Sequence, residues 1–413
     1  MSPETLVYPF LFLAIFFESF LLVTFLSKPA RDRRLASTRQ AAATPRVAIV
    51  VPCWNEETTV AGTVESLLAL DYPADKLSLV LVDDGSTDRT SAVIDRFAEH
   101  PHITALHKEN GGKYTAMNLG IAHAKDAEII GFLDADSFVA SDALREITTA
   151  FAEPETMAVT ASMSIHQPRT ILQRMQYAEY AFAITLRHVF ASINGLYVTP
   201  GPFSFYRRTV FDRLGPFKHA YLAEDMEMAM RMQRAGFNIG NALRARVYTK
   251  GPPTLPKLIT QRVRWTTGFL RNIAFDYRDL IGGKGNAVLG LFVLPLGLIA
   301  IGGGIAIFAL TVTEVVQRAL HALSVVQAAP LSYAFTPHPF SWFYLPVTAV
   351  TLIGITLILS TLIWMTLGKR LSRTPGRLVP NMLVYLLLYS FVAPLWLIQS
   401  VSHVARGVHT AWR

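Results

Sequence analysis

The chain has 413 residues, 51% of them hydrophobic and 16% charged, with a mean hydropathy of +0.33. That balance excludes an ordinary soluble domain, while the length allows one large core or two smaller ones. The net charge of +8 does not point to nucleic acid: much of the excess flanks apolar segments, where basic residues meet anionic headgroups, and no zinc-finger or RNA-binding motif is present.

Residues 6–26 form an almost uncharged run, broken by Glu18, that is long enough to span a bilayer. With no basic start and no small-residue cleavage site, it reads as a retained transmembrane helix rather than a signal peptide. Lys28, Arg31, Arg33, Arg34 and Arg39 follow it. Residues 40–285 then carry an ordinary mixture of charges and turns, before three more apolar candidates at about 288–312, 343–367 and 380–401. Arg262, Arg264, Arg271, Arg278 and Lys284 precede the first of these, and Lys369, Arg370, Arg373 and Arg377 separate the last two. By the positive-inside rule these flanks place residues 40–285 in the cytoplasm and a loop at about 313–342 outside. Four crossings put both termini outside, where Arg406 and Arg413 match the rule less well. The single cysteine, Cys53, precludes an intramolecular disulfide or a multi-cysteine metal site and fits a reducing compartment.

Within the soluble stretch, apolar runs at 47–51, 77–82, 103–106 and 129–133 read as strands, and 58–70 and 87–99 as helices. Such alternation predicts a mainly parallel sheet covered on both faces, with ligands bound beyond the carboxyl ends of the strands. The polar clusters fall there. Pro52-Cys53-Trp54-Asn55-Glu56-Glu57 leaves the first strand and Asp83-Asp84-Gly85-Ser86 the second. Their carboxylates can accept hydrogen bonds from a ribose or base edge, or simply cap helices. Gly111-Gly112-Lys113, followed by Asn118, offers a lysine to a phosphate or base but lacks P-loop spacing; a solvated turn explains it equally well. Asp134-Ala135-Asp136 follows a buried strand and suits a hard divalent cation shared with a diphosphate.

Further on, Ala223-Glu224-Asp225 precedes a helix whose methionines read as core; Asp225 is either a cap or a general base. In Gln261-Arg262-Val263-Arg264-Trp265, Arg264 can neutralise a departing diphosphate and Trp265 can stack on a sugar, although both types also anchor membrane interfaces. The amphipathic stretches 170–190 and 255–273 are expected at the membrane surface.

In this order the clusters resemble the processive family 2 glycosyltransferases, among them cellulose, hyaluronan, chitin-oligosaccharide and poly-N-acetylglucosamine synthases. The resemblance covers about residues 45–280 and the flanking apolar segments. It implies an α/β GT-A catalytic domain with a Rossmann-like mixed sheet, a transmembrane α-helical bundle, a UDP-sugar donor, Mg²⁺ or Mn²⁺, and inversion at the anomeric carbon. Carried over by position, Pro52, Asn55, Glu57, Asp83, Asp84, Lys113, Asp134 and Arg264 bind the nucleotide sugar. Asp134 and Asp136 hold the metal, Asp225 with Glu224 is catalytic, and Gly201, Phe203, Gln261 and Trp265 line the acceptor site. Two departures stand out: Ala223 replaces the usual threonine of the Thr-Glu-Asp motif, and the loop Thr199-Pro200-Gly201-Pro202-Phe203 lacks the cysteine found in several members.

The expected division is an N-terminal span with basic linker (1–39), the GT-A domain (40–254), an interfacial helix (255–285) and a transmembrane region of about three helices (286–413). The expected product is a β-linked polysaccharide moved across a bacterial inner membrane, with a lipid acceptor as the alternative and a nucleotide-binding transporter or sensor as a rival from another class. Membrane lipids, and accessory subunits or a second copy, are the other expected partners.

Overall fold

The computed structural model describes residues 3–27, 44–328 and 348–408. The basic residues at 28–39, part of the loop expected outside and Arg413 lie outside the described residues.

An eight-stranded sheet organises the middle of the chain. Its strands are β1 (Val47–Cys53), β2 (Leu77–Asp84), β3 (Ile103–Lys108), β4 (Ile129–Phe132), β5 (Ser137–Val139), β6 (Thr156–Ile165), β7 (Ser204–Arg207) and β8 (Asn238–Thr249), in the order β3-β2-β1-β4-β7-β6-β8-β5. The first four are parallel, as the alternation predicts. Beyond β4 the sheet is mixed: β7 runs antiparallel to both neighbours, β6 pairs parallel with β8, and β5 antiparallel with β8. Val47–Val51 and Leu79–Val82 are buried on both faces, which explains their unbroken apolar character.

Helices α2 (Val60–Leu68), α3 (Thr90–Asp95), α4 (Lys113–His123) and α5 (Ala143–Ala150) follow β1, β2, β3 and β5. The helix expected at 87–99 contracts to α3, because the Asp88 carboxylate accepts from Thr90 N (2.9 Å) and Glu57 N (3.2 Å), making a turn where the helix was expected to start. α6 (Ile171–Ser192) begins at a reciprocal capping box between Thr170 and Gln173. α7 (Arg208–Leu214) and α8 (Glu224–Arg234) follow β7, and α9 (Leu255–Arg271) follows β8. Both amphipathic stretches are therefore helical.

Four described helices are long and apolar enough to cross a membrane. They are α1 (Pro3–Leu26), α10 (Leu294–Ala328, entered through a π-turn at Leu289–Val293), α11 (Ala349–Ser372) and α12 (Val379–Ala405). α10 outruns its expected end at residue 312, so 313–328 is helix rather than external loop; an i,i+4 ion pair between Arg318 and Glu314 supports the extension. Glu18, the one acid in α1 beyond its first turn, is satisfied between helices: its carboxylate accepts from Trp364 Nε1 (2.6 Å) and Ser360 Oγ on α11.

α11 lies on α6, with Thr185 Oγ1 donating to the Trp364 carbonyl at 2.9 Å. Gly368 faces the Ala181 carbonyl so closely that a Cβ would collide with backbone. Gly368→Val should therefore destabilise the protein by about 1–3 kcal/mol, read as a lower melting temperature of the purified protein in detergent. Gly354→Val, on the same helix but with open space around the new Cβ, should leave the melting temperature unchanged.

Candidate active site

Strand register brings three polar clusters together. Cys53 pairs with Asp83 across β1 and β2, and Val50 with Phe132 across β1 and β4, so the loops after these strands are neighbours. Pro52 sits inside β1 opposite Val82. Asn55, in the left-handed region (φ 55°), ties the first loop to the second: its N–H donates to Ser86 Oγ (3.0 Å) and its Oδ1 accepts from Thr87 N (2.8 Å). Glu57 stands at the rim, accepting from Arg89 N at 3.0 Å and Nε at 3.3 Å.

Asp83 is buried, accepting from Ser86 N at 3.1 Å and lying 3.4 Å from His107 Nδ1. Asp84 is buried too, takes the Lys108 ammonium at 2.6 Å and Gly111 N at 3.1 Å, and so anchors the loop towards Lys113.

Lys113 is the first residue of α4 rather than part of a solvated turn. Its Nζ lies 2.5 Å from Asp134 Oδ1 and 3.8 Å from Glu224 Oε1, and this negative surrounding holds its pKa above the ordinary lysine value despite burial. One ammonium thus joins the Asp-x-Asp turn after β4 to the acids that open α8. Asp136 has no such ion-pair partner among the described residues. Burial, then the negative charges of Asp134 and Glu56, push its pKa up to about 7, while Ser137 Oγ donates to it at 3.1 Å. Glu56, which the sequence reading did not single out as a site residue, therefore belongs to the acidic cluster. Its signal lay in the same post-strand segment as Asn55 and Glu57.

Gly201 threads between these groups. Its N–H donates to Asp225 Oδ2 at 3.2 Å, and a Cβ there would come within 2.8 Å of Lys113 Nζ and 3.1 Å of Asp134 Oδ1. Phe203, two residues on, is fully buried, with its ring 4.7 Å from that of Phe205 and its N–H donating to the Phe132 carbonyl, so it supports the loop from the core.

Asp225 is the second residue of α8, whose N-cap position is Ala223. Its Oδ1 accepts from Met226 N (2.8 Å) and its pKa rises to about 6 through burial and the adjacent Glu224, with Lys113 and Arg264 pulling the other way. The approach to it is strained: Ala220, Tyr221 and Leu222 all have positive φ (42°, 54° and 62°), each costing roughly 1–2 kcal/mol in a non-glycine residue. Arg264 Nη1 donates to the Leu222 carbonyl at 3.0 Å, and the Arg271 guanidinium lies 5.3 Å from the Tyr221 ring centroid, so α9 braces this strap.

Gln261, Arg264 and Trp265 share one face of α9 by their i, i+3, i+4 spacing. Gln261 Oε1 is buried without a hydrogen-bond partner among the described residues. Trp265 carries the Arg262 guanidinium 4.4 Å from its ring centroid, and Arg262 pairs with Glu179 of α6 at 2.8 Å. No group of three or more metal-ligating side chains is assembled among the described residues. The Asp134-x-Asp136 pair instead fits a hard cation that takes one or two carboxylates and completes its shell with substrate oxygens, and the uncompensated charge at Asp136 is what such a cation would relieve.

A mixed α/β sheet with acidic turns beyond its parallel strand ends, set against amphipathic helices and long apolar ones, defines a membrane-associated GT-A glycosyltransferase. The chain belongs to the family described as Glycosyltransferase like family 2, whose profile matches residues 45–268. It is 29% identical over 229 residues to the beta-monoglucosyldiacylglycerol synthase of Synechocystis sp., a match spanning 54% of this chain and 48%, about half, of that relative. It is 28% identical over 312 residues to the poly-beta-1,6-N-acetyl-D-glucosamine synthase of Staphylococcus epidermidis, spanning 75% of this chain and 72% of the relative. Among solved structures, the mannosyltransferase PcManGT from Pyrobaculum calidifontis, in complex with GDP-Man and Mn²⁺, shares the fold, with a TM-score of 0.56 and 21% identity over 92% of this chain and 99% of that one.

Gly201→Ala tests the close approach. The added methyl should push the Lys113–Asp134 pair away from Asp225, and a shift of about 1 Å at a reacting centre costs roughly 10²-fold in rate. Turnover measured as nucleotide release, with the melting temperature as a check on folding, should show that loss.

Proposed function

We propose that this enzyme transfers a sugar, with inversion, from a UDP-sugar to an acceptor hydroxyl at the cytoplasmic membrane face, extending a β-linked polysaccharide and passing it outward. The observation that carries the reading is the convergence of Asp134, Lys113, Glu224 and Asp225 on the Gly201 backbone. Asp83 and the first loop face the nucleotide, and Lys113 and Arg264 face its diphosphate. Gln261, with its unpaired oxygen, and Trp265 face the sugars. Asp225 removes the acceptor proton. The freed oxygen bonds to the anomeric carbon from the side opposite UDP, and the electron pair of the broken bond leaves on the diphosphate, where Arg264 stabilises it. A divalent cation on Asp134 and Asp136 would supply Lewis-acid stabilisation of that same charge.

Residues 40–254 act in this reading as the catalytic domain, 255–285 as its interfacial helix, and 1–39 and 286–413 as membrane segments. Similarity to the polysaccharide synthase over 72% of its length supports polymer extension. Similarity to the glucosyldiacylglycerol synthase supports a second reading, a lipid acceptor. Product size separates them, a ladder of oligomers against a single glycolipid, after a screen of UDP-glucose, UDP-N-acetylglucosamine and UDP-glucuronate for turnover.

A base works only when deprotonated, so a carboxylate raised to about 6 moves the acidic limb of the rate profile up from about 4, the ordinary carboxylate value. Turnover should fall as pH drops through about 6, and Asp225→Asn should lower it by roughly 10²–10⁴ while donor affinity, measured by calorimetry, survives. Near-normal turnover in that variant would remove Asp225 from the chemistry.

Chelation should abolish UDP release and added Mn²⁺ or Mg²⁺ restore it, because uncompensated carboxylates repel a diphosphate. Asp136→Ala should behave like the chelated enzyme. Full turnover in excess chelator would take the cation out of the reaction.

A further inference from the structure

α12 meets the catalytic domain along its whole length. Before its first turn, the Pro375 carbonyl accepts from Tyr177 OH of α6 at 2.5 Å. In its first half, Leu378 and Met382 are buried in the core cluster that holds Tyr177, Ala178 and Ala181 of α6. In its second half, Val392, Ala393 and Trp396 pack with Met175 of α6 and with Leu258 and Val263 of α9. Just past its last turn, the Val408 carbonyl accepts from Arg271 Nη2 at 2.7 Å. Arg271 is fixed to the catalytic domain, since its guanidinium lies over Tyr221 of the strap beside Asp225. The chain after it also returns to α8, where Tyr277 OH donates to Glu227 and Arg234 pairs with Asp279.

A helix of 27 residues is about 40 Å long at 1.5 Å per residue, and the hydrocarbon core is about 30 Å thick. Had α12 crossed, one end would lie a bilayer away from the domain that in fact holds both. We infer that α12 is not a fourth span but an in-plane helix docked on the leaflet that faces the catalytic domain. Its lipid-facing stripe is Val379, Leu383, Leu387 and Phe391, all more than half exposed, continued by Leu395 and Ile398. Successive members are three or four residues apart and so share one side of the helix. The occupant of that stripe is the acyl region of the leaflet: α12 contains no Asp, Glu, Lys or Arg, and its neighbour α11 is itself long and apolar enough to span.

Charge agrees with this placement. Three crossings, by α1, α10 and α11, put Arg406 on the same side as Lys369, Arg370, Arg373 and Arg377, as the positive-inside rule asks; a fourth crossing would export it. The inference rests on those three helices crossing and not on the reaction, donor or acceptor.

Two introduced cysteines, one per variant, test it in sealed membrane vesicles of both orientations, probed with a membrane-impermeant maleimide; native Cys53 is buried and its labelling in the unsubstituted protein is the background. Asp75→Cys, on the exposed surface of the catalytic domain, marks that domain's side. Val408→Cys should label in the same vesicle orientation as Asp75→Cys. Labelling in the opposite orientation overturns the inference. Should Val408→Cys be shielded in both, a protease-cleavable tag appended after Arg413 decides between the two placements: cleavage on the Asp75 side supports the in-plane helix, and cleavage on the far side refutes it. Because the readout is relative to Asp75→Cys, it stands even if the proposed transfer reaction fails.

Discussion

One ammonium group reconciles the acids of this site. Asp134 closes a strand near the middle of the domain and Glu224 opens a helix 90 residues later, and Lys113 Nζ reaches both. Carboxylates brought this close repel one another, so the convergence of the two motifs depends on a cation between them. The sheet supplies the place: strand order reverses between the parallel neighbours β1 and β4, and ligands of such sheets bind beyond the carboxyl ends of the strands at that point. The compensation is incomplete. Burial, and after it the charges of Asp134 and Glu56, hold the Asp136 pKa up, so a further positive charge there would be favoured.

The second organising element is α9. On one side it presents Gln261, Arg264 and Trp265 and braces the left-handed strap ahead of Asp225. It also carries Leu258 and Val263 into the cluster with α12. The candidate site and the apolar helix α12 therefore meet on one helix.

Much of this was legible in the sequence because it is local. The Asp-x-Asp turn, the amphipathic period of α6 and α9 and the four apolar runs each declare themselves within about 20 residues. What escaped depends on partners far along the chain. Asp84 looks like Asp83 until Lys108 and Gly111 fold back on it. Phe203 looks like a loop aromatic until β7 places Phe205 against it. The buried trio Glu227, Arg231 and Tyr277 brings together residues 50 positions apart, and no periodicity announces three successive left-handed residues. The end of α10 escaped for a different reason. Hydropathy falls at Glu314, but the helix does not, since Arg318 answers it one turn later.

The length of that helix has a mechanical consequence. The apolar helix Leu289–Gln327 has 39 residues, about 58 Å at 1.5 Å each. To sit wholly within a hydrocarbon layer of about 30 Å it would have to lean by about 60°, well past the tilts of up to about 40° that spanning helices adopt. A spanning α10 would therefore carry several of its turns outside that layer, and Val315, Val316, Leu320 and Leu323 stand exposed toward its C-terminal end.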